Sequence, residues 1–232
     1  MFRNAVSGTA ISLLTSGMLF ADSSTFDQKV RESLLRNPEV ILEVFALLEA
    51  QEAAQASALD VELIARNAVA LFPEGAEQGR VLVEFVDYQC GYCRRAATEV
   101  EALLEADPSL HRHIIQFPIL GDASVNAASV MEAIRLSQPH DVFLDAHEQL
   151  MAAEPAKSRL MGNFVASLGL EPAEIMEIAQ SEEVTAIIAG NHALARSMQI
   201  TGTPGFVTET AVIRGFADQQ TLARLFTTAS QD

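Results

Sequence analysis

Residues 80–95 read RVLVEFVDYQCGYCRR, and the organisation of the chain can be worked outward from them. Val81 to Val86 form a near-continuous apolar run rich in valine, the pattern of a strand buried on both faces. From Arg94 to Glu105, Ala96, Ala97, Val100, Leu103 and Leu104 recur at helical spacing. Cys90 and Cys93, the chain's two cysteines, therefore fall where a buried strand gives way to a helix. Free N–H groups and the positive dipole end at a helix start favour an anion, so Cys90 is expected to carry a stabilised thiolate. Cys93 lies one turn further in, within reach but less exposed. Cys90 can then attack a disulfide or be attacked, and Cys93 can resolve the mixed disulfide.

Duller readings of the pair fit less well. A structural disulfide between positions i and i+3 closes too short a loop to restrain the unfolded chain. Zinc needs two further ligands; His111 and His113 alternate onto one strand face, but no histidines pair at finger spacing. No metal and no cofactor is expected, although a reduced pair can hold soft Cu(I). A redox dithiol is the reading adopted.

The whole chain has 232 residues, 49% hydrophobic and 20% charged, enough for a sizeable core and unlike a disordered composition. Fifteen Lys and Arg stand against 31 Asp and Glu, a formal charge of −16 that argues against nucleic acid as a partner. No apolar run reaches the roughly 18–20 residues of a membrane span. Residues 1–21 combine Arg3, an acid-free apolar stretch from Ala5 to Phe20 and a small Ala21, and read as a signal peptide. Export places the cysteines in an oxidising compartment, here the periplasm.

Residues 22–72 read as a helical arm. Thr25 to Gln28 has the form of a capping box, and Asn37-Pro38 reads as the cap and first position of a second helix. Val30, Leu34, Asn37, Ile41, Val44 and Leu48 are spaced 4, 3, 4, 3, 4, a heptad-like stripe that predicts a homo-oligomer through this arm. After an Ala/Gln/Glu stretch, Leu59, Leu63, Ile64 and Leu71 give a further helical pattern. Residues 73–79 form a turn-rich boundary to the main domain, 73–232. There the order is strand, helix, a strand over Arg112–Phe117, helices over about 121–199, strands at Phe206–Thr208 and Ala211–Arg214, and a helix over Asp218–Ala229. Breaks are expected near Gln138-Pro139, Glu154-Pro155 and Gly169 to Pro172. The last two strands are joined through Thr208-Glu209-Thr210-Ala211, which lacks Gly, Asn or Asp and so predicts a loop wider than a tight hairpin.

VLVEFVDYQCGYCRR, followed by QFPILG and later by TGTPGFV, resembles the DsbA-like branch of the thioredoxin superfamily over about residues 80–228. NPEVILEVFALLE further resembles the arm of the ScsC and Com1 type, which mediates oligomerisation. The resemblance implies an α/β thioredoxin fold with an inserted helical block, preceded by an N-terminal helical arm. Cys90 would be the nucleophile and Cys93 the resolving thiol. Pro204 would match the family's cis-proline, which offers backbone to an extended substrate, and Thr203 would line the site beside it. Thr before the proline looks more like isomerase-type members than like DsbA, which has Val. Glu84, six residues before Cys90 in an otherwise apolar strand, sits where the family places a buried acid. As a lone buried carboxyl it should have a raised pKa and shuttle a proton to or from Cys93. Gly91-Tyr92 lacks the histidine of DsbA, so a milder oxidant than its roughly −120 mV is expected; Arg94 and Arg95 would restore part of the positive field.

These readings converge on a periplasmic thiol–disulfide oxidoreductase acting on cysteine-containing secreted proteins, isomerase slightly ahead of oxidase. As an oxidase it would depend on a membrane redox partner. The alternative is a non-catalytic thioredoxin-fold binding or chaperone protein.

Overall fold

The computed structural model describes residues 23–72, 80–153 and 160–227. The expected signal peptide, the boundary at 73–79, the break at Glu154-Pro155 and the end of the last helix at 228–229 lie outside the described residues.

Among the described residues, two helices precede the first strand, α1 (Ser23–Arg36) and α2 (Glu39–Leu71). They part at Asn37-Pro38, where the sequence places a break. The capping details differ from expectation. α1 begins two residues before Thr25, which therefore lies in the first turn rather than at the cap. Asn37 donates from Nδ2 to the Ser33 carbonyl at 2.9 Å, closing α1 instead of opening α2. α2 is also one helix of 33 residues, not two; its Ala/Gln/Glu middle consists of strong helix formers and gives the chain no reason to stop. The chain divides into two compact units between Ala53 and Ala54, inside α2. In the first unit the stripe residues Val30, Leu34, Ile41, Val44 and Leu48 are 37–49% exposed.

The second unit is built on β1 (Val81–Val86), buried along its whole length. After α3 (Gly91–Ala106), β2 (His111–Gln116) lies parallel to β1, with Glu84 opposite Ile114. Among the described residues, five helices follow before the chain returns to the sheet: α4 (Asp122–Ser137), α5 (His140–Ala152), α6 (Met161–Ser167), α7 (Pro172–Ala179) and α8 (Glu182–Ser197). The α7–α8 break was not anticipated; Ser181 makes it, its hydroxyl accepting the Val184 N–H at 3.2 Å as an N-cap. β3 (Gly205–Val207) then pairs antiparallel with β1, and β4 (Val212–Arg214) with β3, before α9 (Gln219–Thr227). The strand order is β2-β1-β3-β4.

The β3–β4 connection is tight, against expectation: the Thr208 N–H donates to the Ala211 carbonyl at 2.9 Å, leaving Glu209-Thr210 at the tip. Gln199 is the only non-glycine residue with positive φ among the described residues, so neither tip residue needs the left-handed backbone that favours Gly or Asn.

Strand alternation sorts the core. Leu82 and Phe206 face Ala96, Val100 and Leu103 of α3 and Leu222 and Phe226 of α9. Val83, Phe85, Ile115 and Val207 face the other way, onto Leu63, Ile64 and Leu71 of α2 and Ala195 and Met198 next to or within α8. Val86, Tyr88 and both cysteines join a third cluster with α4–α7. The inserted helices thus cover the sheet end that carries the cysteines.

Candidate functional site

β1 ends at Val86 and α3 begins at Gly91, with Cys90 as its N-cap residue in extended conformation (φ −80°, ψ 117°). The intervening loop is tied down by Asp87. Its buried carboxylate accepts the Gln89 N–H at 2.8 Å, and the N–H groups of Ile119 and Leu120 at 2.8 and 3.1 Å. Its carbonyl accepts the Cys90 N–H at 3.0 Å. One acid therefore holds both the cysteine loop and the segment after β2, a role that no sequence periodicity marks.

Both thiols are free, Cys90 8% and Cys93 2% exposed. The Cys90 thiol is lowered to about 5, first by a hydrogen bond from the Cys93 thiol, then by the Thr203 side chain and the backbone N–H groups of Cys93 and Tyr92, against burial. Cys93 is pushed strongly upward, because its proton is held by the Cys90 sulfur and because it is buried. The pair thus divides into one sulfur favoured as thiolate and one that keeps its proton. As a thiol, Cys90 donates to the Thr203 carbonyl at 3.3 Å. The Thr203–Pro204 peptide is cis.

The approach of that segment is set by the end of α8. Gln199 takes a positive φ of 55°, and the Ile200 N–H reaches back to the Ala195 carbonyl at 2.8 Å, closing the helix. Ile200 then packs against Gly205, where a Cβ would meet its Cγ2 at 3.0 Å and the Phe85 Cβ at 3.6 Å. A side chain at 205 would crowd Ile200, which would have to give by a few tenths of an ångström, while its contact with Phe85 of β1 would be ordinary.

Cys90, Cys93, Thr203 and Pro204 are therefore brought together. Glu84 is buried as expected, at 2% exposure, but it is not a lone acid and its hydrogen bond goes to neither cysteine. Arg112 of β2 donates from Nε to Glu84 Oε1 at 2.6 Å. Burial raises the Glu84 pKa and Arg112 opposes the rise. The same guanidinium lies 2.8 Å from His147 Nε2, and His147 Nδ1 lies 2.9 Å from the Tyr88 hydroxyl. A guanidinium can only donate, so Nε2 must accept and the ring proton sits on Nδ1, donating to Tyr88. Burial and the adjacent Arg112 charge hold His147 well below the usual histidine range, consistent with that neutral tautomer. A polar chain Glu84–Arg112–His147–Tyr88 thus runs from the strand, through α5, to the loop two residues before Cys90. Sequence reading did not find it; Arg112, the one formal charge in the strand HRHIIQ, was the available signal.

Arg94 and Arg95 take different roles. Arg94 donates to the carbonyls of Tyr88 and Ala153, and at 3.4 Å to that of Met151, clamping the loop to the end of α5. Arg95 is exposed and stacks on Tyr92 and Phe216.

Residues 81–227 match the family model described as the DSBA-like thioredoxin domain, and residues 23–55 match that of the N-terminal domain of the copper resistance protein ScsC. No curated protein matches the chain. Among solved structures, a thioredoxin-like oxidoreductase from Silicibacter pomeroyi DSS-3 is similar at 34% identity and TM-score 0.60, over 66% of this chain and 87% of that one. Proteus mirabilis ScsC in a transitional conformation aligns at 23% identity and TM-score 0.62, over 91% of this chain and 98% of its own. A periplasmic thioredoxin-like protein from Salmonella enterica serovar Typhimurium aligns at 25% identity and TM-score 0.60, over 69% and 94%. With a matched thioredoxin sheet, a dithiol at the head of α3 and a family model spanning most of the second unit, the chain belongs to the DsbA-like thiol–disulfide oxidoreductases.

Proposed function

We propose that this protein makes and rearranges disulfides in cysteine-containing proteins of the periplasm, with Cys90 as nucleophile and Cys93 as resolving thiol. The observation that carries the reading is the split between the two thiols: Cys90 lowered to about 5 while Cys93 keeps the proton. In the isomerase direction, Cys90 thiolate attacks a client disulfide and releases one client thiolate. Another client thiolate then attacks the mixed disulfide and expels Cys90, with no net electron transfer. In the oxidase direction, a client thiolate attacks the Cys90–Cys93 disulfide and a second expels Cys90. Two electrons pass from the client to the Cys90–Cys93 disulfide, and the resulting dithiol passes them on to a membrane redox partner that reoxidises it.

Thr203 and Pro204 present the edge along which the client lies, and Thr203 also bonds to the reacting sulfur. Glu84, with a pKa raised by burial, is the internal acid that takes up or returns the Cys93 proton, its charged form moderated by Arg112. Isomerase is favoured over oxidase. Thr203 supports it, as does an arm over residues 22–72 whose exposed stripe would join several active sites around one client. Export to the periplasm rests on residues 1–21 and on the relative described as periplasmic. The exposed stripe also supports the second reading, a holdase that binds clients without redox turnover.

The test is equilibration with glutathione buffers, read by alkylation and intact mass, beside refolding of a scrambled multi-disulfide client. A midpoint between about −120 and −200 mV with rescue of the scrambled client is expected. Oxidation of a reduced client alone would make it an oxidase, and a midpoint near −270 mV a reductant. Undiminished refolding by Cys90→Ala would leave the holdase.

A further inference from the structure

On α3, the helix capped by Cys90, lies a cation with no carboxylate at ion-pair distance among the described residues. Tyr92 and Arg95 are i and i+3 on α3 and share a face. Gly215, at φ 133°, turns the chain out of β4 so that Phe216 joins them. The Arg95 guanidinium carbon lies 4.7 Å from the Phe216 ring centre and 5.5 Å from that of Tyr92, and the two rings are 6.4 Å apart. A guanidinium whose carbon lies over two ring faces is held in place, with N–H groups left to donate. Arg80, Arg112, Arg135 and Arg214 each have a carboxylate at ion-pair distance; Arg95 has none among the described residues. Its natural partner by helix spacing, Glu99, is diverted: Glu99 Oε2 accepts the Gln219 N–H at the start of α9, at 2.9 Å. Tyr92, 57% exposed, meanwhile donates its backbone N–H to Cys90. The cluster therefore includes the side chain of a residue whose own backbone holds the Cys90 sulfur.

We propose that Arg95, steadied by Tyr92 and Phe216, recognises a carboxylate carried by the client next to its reacting cysteine. The proposal rests on Cys90 being the client-facing nucleophile and adds the client chemistry. An acidic segment approaching a chain of formal charge −16 is repelled at long range. Screening confines that field to roughly 8–10 Å at ordinary ionic strength, leaving the local Arg95 fork to decide docking. The fork pairs bidentately with a carboxylate and loses little freedom in doing so.

The test uses the full chain, reduced, and three disulfide peptides that differ only in the residue beside cysteine: Glu, Gln or Lys. Second-order rate constants with Cys90 should fall in the order Glu, Gln, Lys, and 0.5 M salt should compress the spread. Arg95→Ala should slow the Glu peptide about fivefold and leave the Gln peptide within about twofold, the scale of one exposed ion pair. Arg95→Glu should invert the order, and Phe216→Ala should give an intermediate loss. Equal slowing of all three peptides, with a matching shift in the Cys90 titration, would overturn the proposal by showing that Arg95 acts on the sulfur. Absence of any charge preference in the unaltered protein would overturn it too. Failure of Cys90 to react even with the Gln peptide would instead defeat the oxidoreductase reading on which it rests.

Discussion

The two units of the chain treat their apolar residues in opposite ways. In the second unit Leu82, Val83, Phe85, Val100 and Phe206 are fully buried, and even its buried charges have partners. In the first, Phe26, Leu35, Leu42 and Leu47 are 67–71% exposed, although the helices there are no less apolar in pattern. Periodicity thus reports that a face is apolar, not whether its own chain covers it. The second unit closes on itself; the first leaves its apolar residues exposed, over the stretch that matches the ScsC N-terminal domain.

Four experiments strain this contrast. The largest effect is expected from Arg112→Met, which strips a buried Glu84 and His147 of their shared donor. A loss of about 3–5 kcal/mol at pH 7 should appear in urea unfolding. Without Arg112, burial leaves the Glu84 pKa above its unfolded value. The penalty should then shrink as pH falls below that raised pKa and the carboxyl is neutralised; a pH-independent loss would contradict the pairing. Next, Asp87→Ala leaves three backbone donors without their acceptor and should cost about 1–3 kcal/mol, with faster hydrogen exchange at Ile119 and Leu120.

A smaller effect separates the two redox forms. The Cys90 thiol is lowered to about 5 when folded, below its unfolded value, so the thiolate stabilises the reduced protein fully above the unfolded pKa. That contribution is lost as pH falls through about 5, and the disulfide form never has it. The melting temperature of the reduced form relative to the oxidised one should therefore decline from pH 8 to pH 5. The smallest effect belongs to the arm. Ile41→Ala together with Leu48→Ala should leave the second unit's unfolding within about 0.5 kcal/mol while lowering the mass seen by light scattering. A cooperative loss of the whole protein would show that the arm's stripe is covered by its own chain.

What the sequence made legible was what local pattern encodes. The run Val81–Val86, the helix behind the cysteines, the helical block and the two closing strands all sit where they were expected. The shortfalls have one physical character. Arg112 pairs with Glu84 across 28 residues, and His147 with Tyr88 across 59, contacts that only the three-dimensional arrangement reveals. Caps failed for a related reason: Thr25 and Asn37 have the right side chains, but helix limits depend on which backbone groups find other partners. Expecting Glu84 to be a lone acid likewise took one strand at a time, when its charge is balanced from the neighbouring strand.

The polar chain through His147 bears on how this architecture is built. A run of helices between two strands of a common sheet invites treatment as a detachable module, to be shortened, swapped or removed in engineering. Excising it here would take α5 and with it the ring that bridges Arg112 to Tyr88, along with the carbonyls that receive Arg94. Arg112 and Tyr88 would each lose a buried partner, keeping Glu84 and Gln116 respectively. The insertion is therefore a structural member of the thioredoxin frame, and a minimal version of this protein must retain α5 or replace Arg112 and Tyr88 with it.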